Sequence, residues 1–465
     1  MQIRILLSFF IINIHSASSQ STLQIFSSED FTAQISKYHP IAKQADIIVD
    51  KAKAELLNSR GNFDPIVEFD ANKKTFDGKN YYYYLNQEIK FPTRAGFDIK
   101  TGIENNSGDY LNSEITNGQS SYLGIEVPLG KGLLIDKRRA TLRQAKIFRE
   151  QSEQERLSII NDLLFDAYND YYQWVGAYQL FKVYSKYVDN ANIRLRLVKI
   201  SLENGDRSIA DTVEAFAQVQ NYLLHQSDAL LKLNNAKFDL CNHLWSYNNK
   251  PYQLPSYFLP DTIKFLMISP LETPENIIEA SKNQNPLLRS YDFKLKSLNV
   301  EKKLKFQGLL PSFNLQANLL SKNYYQPSNF NGAYLQNNYK WGINFKVPLF
   351  LRQARGDYAN AQLKIKETSL ELIRKQWQVE NKIRSYYNEN TLIQQQLVKV
   401  QNIYQNYFYL LRNEELKFKQ GESSLFLINT REMKVLDILQ KELEIRVKYF
   451  KSKYAIEWAA GLLRF

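Results

Sequence analysis

Residues 124–129 read Gly-Ile-Glu-Val-Pro-Leu, and residues 342–349 read Gly-Ile-Asn-Phe-Lys-Val-Pro-Leu. Up to its proline, each stretch alternates apolar and polar residues, which is typical of a strand with one apolar and one polar face. Proline cannot donate a hydrogen bond inside a sheet, so Pro128 and Pro348 mark strand ends. Two such similar strand ends in one chain predict an internal repeat.

Landmarks on both sides of these strands recur in the same order. They are a proline that opens a helical pattern, a proline that ends it, a turn glycine and a closing tryptophan. In the first copy they are Pro40, Pro65, Gly205 and Trp245, and in the second they are Pro286, Pro311, Gly421 and Trp458. The chain is therefore predicted to consist of two helix–hairpin–helix repeats.

The repeat and the N-terminal residues together predict where the segments of the chain begin and end. The predicted segments are a signal peptide at 1–19, a first repeat at 20–250 with strands at about 64–128, a linker at 251–275, and a second repeat at 276–465 with strands at about 311–348. In the longer first copy, 85–91 and 97–103 also alternate, which predicts an additional hairpin. The alternation leaves the position of that hairpin open.

Helical patterns occupy the rest of the chain, and some of them have heptad spacing. One long helix is predicted at about 130–203, roughly 110 Å long, and two shorter helices at 30–62 and 210–246 match its length end to end. The second copy repeats the set at 350–419, 276–308 and 424–460. The simplest assembly is mainly α: a long antiparallel cylinder with strands at one end and the turns at Gly205 and Gly421 at the other. Four principal strands cannot close a sheet, so closure requires several chains.

The N-terminal residues indicate export. Arg4 precedes an apolar run at 5–14, and the small residues at 17–19 suit cleavage, which together are typical of a signal peptide. The run at 5–14 is too short to span a bilayer, and no unbroken apolar run elsewhere reaches 18 residues, so no transmembrane helix is expected in the mature chain.

Composition excludes several classes of function. Cys241 is the only cysteine among 465 residues, which excludes a disulfide framework and a cysteine-based metal site within one chain. The four histidines have neither metal-ligand spacing nor a nucleophile–base arrangement, so no enzyme, metal or cofactor is expected. The net charge is +12, but the basic clusters at 131–149 and 340–366 lie at matching points of the repeat. No nucleic acid partner is therefore predicted.

The ordered set of landmarks resembles the TolC-type outer membrane efflux proteins (outer membrane factors). The resemblance covers about 25–465 and includes both Val-Pro-Leu strand ends and the closing residues 454–461. It implies a homotrimer whose twelve strands form one transmembrane β-barrel in outer membrane lipid of a Gram-negative bacterium, with a coiled-coil α-helical tunnel in the periplasm. It also implies a periplasmic adaptor (membrane fusion) protein and an inner-membrane transporter as partners, in efflux or type I secretion.

The resemblance points to an acidic constriction. Some members of the family carry paired acids after the second-copy turn, but here the corresponding residues are Leu427 and Thr430. The same offsets after Gly205 give Asp211 and Glu214. Three copies of such a pair would focus negative potential in a pore. The alternative is that both are ordinary acids in the first turn of a helix, where the helix dipole favours them.

The turn residues are the remaining candidates. Gly205, Asp206, Arg207, Gly421 and Glu422 are predicted tip residues and adaptor contacts, although plain turn residues are the alternative. An alternative function is a soluble periplasmic coiled-coil adaptor or scaffold. That alternative accounts for the heptads and the signal peptide, but not for paired amphipathic strands.

Overall fold

The computed structural model describes residues 23–323 and 337–465, so the predicted signal peptide lies outside the described residues. The described residues form nine α-helices and ten strands. The helices are α1 (Ser28–Tyr38), α2 (Pro40–Gly61), α3 (Lys137–Glu203), α4 (Ile209–Cys241), α5 (Thr262–Leu266), α6 (Pro274–Gln284), α7 (Pro286–Gln307), α8 (Arg352–Lys419) and α9 (Leu425–Ala460). The strands are β1 (Gln24–Phe26), β2 (Ile66–Phe76), β3 (Lys79–Pro92), β4 (Asp98–Ser107), β5 (Gly118–Pro128), β6 (Trp245–Ser246), β7 (Lys250–Pro251), β8 (Phe258–Pro260), β9 (Ser312–Lys322) and β10 (Tyr339–Lys346).

The chain divides into two compact units, which we call the turn unit and the sheet unit. The turn unit contains the residues up to His39, Ala167–Ser269 and Gln396–Lys448. The sheet unit contains Pro40–Asp166, Pro270–Gln395 and Tyr449–Phe465. Within the described ranges, no helix combines the length and the apolar character needed to cross a bilayer.

Proline explains two of the helix boundaries. His39 and Asn285, which precede Pro40 and Pro286, are extended, with ψ of 131° and 120°. The proline ring disfavours a helical conformation in the residue before it, so α1 and α6 end there. The Asn285 side chain then accepts hydrogen bonds from the first backbone N–H groups of α7. The predicted helical patterns at 30–62 and 276–308 are therefore each two helices.

The sheet unit contains a six-stranded antiparallel sheet. Its order is β10-β9-β5-β4-β3-β2. The pairing of β5 with β9 joins the two repeats, with Ile125 opposite Ala317. The additional hairpin of the first copy is β3 and β4, and it lies between β2 and β5 in the same sheet. The chain thus has six strands in this sheet, more than the four that the resemblance implies.

The register keeps one face of this sheet apolar across all six strands. Most odd-numbered residues between the strand ends are apolar, and pairs such as Val67 with Ile89 and Ile99 with Ile125 place them opposite one another. The even-numbered residues are mostly polar or charged, and Lys100 there contacts Glu126 at 2.7 Å. Alternating apolar and polar faces follow from the two-residue period of a strand.

A tyrosine crosses three strands on the polar face. Tyr122 of β5 is 4% exposed, and its hydroxyl donates a 2.7 Å hydrogen bond to Glu88 of β3. Between them lies Gly102 of β4, opposite both residues in the register. A Cβ atom at position 102 would lie 2.5 Å from the tyrosine ring. The missing side chain therefore leaves room for this bridge.

The turn unit has a helical core with heptad packing. Tyr171 and Trp174 of α3 lie seven residues after the buried Leu164 and Ala167, and they are 1% and 3% exposed. Tyr171 also donates a hydrogen bond to the backbone oxygen of Phe26 at 2.8 Å, which holds β1 against α3. Long side chains repeating every seven residues thus form a buried seam, as in coiled coils.

A buried histidine gives the turn unit a pH dependence. His39 is 5% exposed, and its ring lies 6.1 Å from the ring of His243, which contacts Asp170 at 2.8 Å. Burial, together with the positive charge that His243 can carry, lowers the pKa of His39 to about 4, although a backbone bond to Asn242 opposes this. The unfolded chain therefore binds this proton at a higher pH than the folded chain does.

We expect the free energy of unfolding of the turn unit to fall as the pH is lowered from about 7 towards about 4. The folded state keeps His39 neutral, so protonation in this window favours unfolding. Thermal midpoints measured across the window should show this loss, and H39Q should reduce it. H225Q, at a histidine of the same unit, is the control. If H39Q keeps the full pH dependence, His39 is not its source.

Candidate functional site

The connection between α3 and α4, which we call the first turn, ends α3 in a Schellman motif. Gly205 has φ of +80°, a left-handed conformation that glycine adopts without steric cost. The backbone N–H of Asp206 donates to the oxygen of Ser201 at 2.8 Å, and that of Gly205 donates to Leu202 at 3.0 Å. These two bonds satisfy carbonyl groups at the helix end.

The connection between α8 and α9, which we call the second turn, has the same geometry at the end of α8. Gly421 has φ of +81°, and its N–H donates to the oxygen of Phe418 at 3.1 Å. The N–H of Glu422 donates to the oxygen of Lys417 at 2.9 Å. The two glycines predicted to mark turns thus have equivalent roles in the two repeats.

The predicted tip residues differ in their exposure to solvent. Gly205, Asp206, Gly421 and Glu422 are exposed. Arg207 is half-buried, and its guanidinium lies 4.2 Å from the centre of the Phe418 ring. Since Phe418 belongs to the last turn of α8, this cation–π contact ties the first turn to the second.

Asp211 helps to begin α4. Ser208 accepts a hydrogen bond from the backbone N–H of Asp211 at 3.2 Å, and the Asp211 carboxylate accepts one from the N–H of Ser208 at 3.2 Å. This reciprocal pair is a capping box, which satisfies two N–H groups at the helix start. Asp211 is half-buried, so one side of it remains accessible.

Glu214 lies three residues further along α4 and is also half-buried. It accepts a hydrogen bond from the side-chain amide of Asn429 on α9 at 3.1 Å. Residues three apart share one face of a helix, so Asp211 and Glu214 present two carboxylates on the same side of α4. The structure thus places the pair together, with one member bonded locally and the other bonded across the repeats.

Next to this pair lies a polar network that the sequence did not reveal. Arg194 of α3 donates two hydrogen bonds to Glu432 of α9, at 2.8 and 3.0 Å. Tyr222 of α4 donates to the same carboxylate at 2.7 Å, and Arg194 also donates to Asn429 at 3.2 Å. Glu432 is 3% exposed. Five side chains, Glu214 included, therefore join three helices through a buried cluster.

The charges in this cluster stabilise one another. Burial alone would lower the pKa of Arg194, but the hydrogen bond to Glu432 and its negative charge outweigh burial, and the pKa is raised. Burial and the same carboxylate raise the pKa of Tyr222. A buried carboxylate with three donors is well satisfied, whereas removing a donor leaves a costly charge. A sequence signal for this cluster was the position of Arg194 between Ala191 and Val198, two buried residues seven positions apart in α3.

No group of three or more His, Cys, Asp or Glu side chains is arranged to hold a metal ion in the part of the chain that the structure describes. The candidate site therefore consists of two equivalent turns, a carboxylate pair and a buried polar cluster. Such a surface can contact another protein and can attract cations.

Comparison with known proteins agrees with this architecture. Residues 89–244, about a third of the chain, match the family model described as outer membrane efflux protein. None of the curated proteins compared with the sequence matches it. The resemblance to the TolC-type outer membrane efflux proteins is thereby confirmed over this segment.

Solved structures share the fold over nearly the whole chain. The chain is similar to the CmeC outer membrane channel of Campylobacter jejuni, with 16% identity, a TM-score of 0.61, and coverage of 99% of this chain and 94% of that chain. It is similar to the open state of the MtrE outer membrane channel of Neisseria gonorrhoeae, with 13% identity, a TM-score of 0.64, and coverage of 99% and 96%. It is also similar to the outer membrane protein VceC of Vibrio cholerae, with 12% identity, a TM-score of 0.61, and coverage of 93% and 96%. The predicted fold class, mainly α with the TolC-like arrangement of two repeats, is confirmed.

Proposed function

We propose that this chain is the outer membrane channel of a tripartite efflux or type I secretion system in a Gram-negative bacterium. Three copies close their sheets in the outer membrane, and their helices line a periplasmic tunnel. A periplasmic adaptor links the tunnel to an inner-membrane transporter. The observation that carries the proposal is the sheet, whose apolar face continues across six strands while the opposite face is polar. A closed sheet with lipid outside and water inside requires this arrangement.

The exposed apolar side chains argue against the alternative, a soluble periplasmic adaptor or scaffold. Phe69 of β2 is 61% exposed, and Trp341 and Ile343 of β10 are 64% and 58% exposed. Soluble monomers rarely expose contiguous apolar patches of this kind. The proposal includes no catalytic activity and no cofactor, since family members are channels.

We expect the protein to be extracted from outer membranes by mild detergent as a particle of three chains. Its apolar sheet face needs detergent in place of lipid, so solubility should be lost when detergent is removed. Multi-angle light scattering, with bound detergent subtracted, measures the protein mass. A monomer that stays soluble without detergent would contradict the channel and favour the scaffold.

We further propose that Asp211 and Glu214 line the constriction of the channel. Both are half-buried in one chain, and three copies of the pair would concentrate six carboxylates around the pore. Such a ring attracts multivalent cations and holds them in the ion path.

The double variant D211N/E214Q is therefore expected to weaken block by multivalent cations about tenfold or more in single-channel recordings. Asparagine and glutamine keep the hydrogen-bond acceptors that the capping box and Asn429 use, so the fold should be retained. D206N/E422Q, in the exposed turns, is the charge-matched control. Unchanged block in D211N/E214Q would remove the pair from the pore.

The exposed turns are the proposed adaptor contacts. Gly205 and Gly421 hold the two turns in the same conformation, and Asp206 and Glu422 extend from equivalent positions next to them. Equivalent surfaces in both repeats suit a partner that contacts each repeat in the same way.

A further inference from the structure

Among residues 23–323 and 337–465, neither edge strand of the six-stranded sheet, β2 or β10, has a strand paired along its outer side. All residues of β2 and β10 are exposed. Since the order β10-β9-β5-β4-β3-β2 is antiparallel throughout, the two edge strands run in opposite directions. The β2 strand of one copy can therefore pair antiparallel with β10 of a second copy.

The additional hairpin, β3 and β4, is part of the same sheet as the other strands. In β3 and β4 the odd-numbered residues Ile89, Phe91, Ile99 and Ile103 continue the apolar face, and the register places Phe91 opposite Ile99. On the polar face, the bridge from Tyr122 to Glu88 spans β5, β4 and β3. A hairpin that merely folded over the sheet would not share both of its faces.

The register also gives the stagger of the strands. Partners followed across the sheet from Ile66, the first residue of β2, lead through Lys90, Lys100, Gly124 and Asn318 to Lys340. Lys340 lies six residues before Lys346, the last residue of β10 (346 − 340). We take the proline-marked ends of β2 and β10 to lie at the same height, so that Ile66 of one copy pairs with Lys346 of the next. The register is then displaced by six residues for every six strands. One residue per strand is the ratio of an eight-stranded barrel with shear eight, whose strands tilt by about 36°. Transmembrane strands tilt by roughly 35–45°.

When Ile66 of one copy pairs with Lys346 of the next, antiparallel pairing determines every other pair between β2 and β10. The apolar pairs are Val67 with Phe345, Phe69 with Ile343, and Ala71 with Trp341. On the polar face, Glu68 then lies diagonal to Lys346, which brings opposite charges together. Apolar residues therefore pair on one face of this junction and opposite charges lie close on the other, and the large ring of Trp341 lies opposite the small side chain of Ala71.

We propose that β2 and β10 pair between copies in this register, so that three chains form a closed sheet of eighteen strands. The inference rests on the proposed channel function. At a strand spacing of about 4.8 Å and a tilt of about 36°, eighteen strands give a backbone diameter of about 34 Å, against about 23 Å for twelve. The lumen is therefore roughly 10 Å wider, which is about the width of an α-helix. A secreted polypeptide is the class of cargo that this extra width favours.

Cysteine cross-linking tests the register. In a C241S background, V67C and F345C are introduced together, because directly paired residues have Cα atoms about 4.5–5.5 Å apart, which a disulfide can span. We expect covalent dimers and trimers after mild oxidation, which disappear on reduction. V67C with W341C is the matched control on the same face, four residues out of register. Efficient cross-linking in the control rather than in the test pair would overturn the proposed register.

Electron microscopy of the unmodified, detergent-extracted protein tests the strand number without any substitution. A trimeric particle with a membrane ring of about 34 Å supports eighteen strands. A trimeric particle with a ring of about 23 Å overturns this inference but leaves the proposed function intact. A monomer that needs no detergent overturns the proposed function itself.

Discussion

Replacing Arg194 with alanine is expected to lower the local stability of the turn unit by about 3–5 kcal/mol. The substitution removes both hydrogen bonds to Glu432, at 2.8 and 3.0 Å, and leaves a carboxylate that is 3% exposed without its counter-charge. Tyr222 alone cannot compensate for a buried negative charge. Hydrogen exchange read by mass spectrometry reports the local free energy of opening, and each 1.4 kcal/mol lost accelerates exchange about tenfold.

Two further variants separate the buried charge from general damage to the helix. R196A, two residues away at an exposed position of α3, should leave exchange nearly unchanged. The double variant R194M/E432Q removes both charges but keeps an acceptor for Tyr222, so it should recover most of the loss. If the double variant is as unstable as R194A, the uncompensated carboxylate is not the cause.

Replacing Gly102 with alanine is expected to destabilise the sheet by about 1–3 kcal/mol, and thereby to reduce the yield of trimer. The added Cβ would lie 2.5 Å from the Tyr122 ring and 2.7 Å from the backbone oxygen of Gln87. The tyrosine can move only by giving up its bond to Glu88, and the backbone oxygen can move only with its strand. The fraction of trimer that survives heating in detergent measures the effect.

Gly342 provides the matched control. It lies on the same polar face, in β10, and a Cβ there would meet no atom within 4 Å. G342A should therefore leave the free energy of unfolding within about 0.5 kcal/mol of that of the unmodified protein. Equal stability of G102A and G342A would contradict the packing of Tyr122 across β4.

Local rules were sufficient to predict most helix and strand boundaries. Pro40 and Pro286 begin α2 and α7 because proline suits the first helical turn, and Gly205 and Gly421 end α3 and α8 because the turn needs a positive φ. Alternation predicted the residues of β3 and β4 but not their position. Alternation defines the faces of a strand and carries no information about which strand lies beside it.

The candidate site shows the same division. The capping box joins Ser208 and Asp211, which lie only three residues apart before an apolar pattern, so it depends on local sequence. The bond between Glu214 and Asn429 and the pair of Arg194 with Glu432 connect residues more than 200 positions apart. No local pattern specifies such partners, since they depend on how the two repeats pack.

The junction of β5 with β9 has a consequence for biosynthesis. The meander from β2 to β5 consists of neighbouring segments, so it can form as soon as residue 128 is available. Its open edge then stays unpaired until β9, which begins at Ser312, is also available to pair with β5. An uncovered apolar edge invites pairing with other nascent chains. We therefore expect the chain to be most prone to aggregation during this interval, with aggregates nucleated by its N-terminal half.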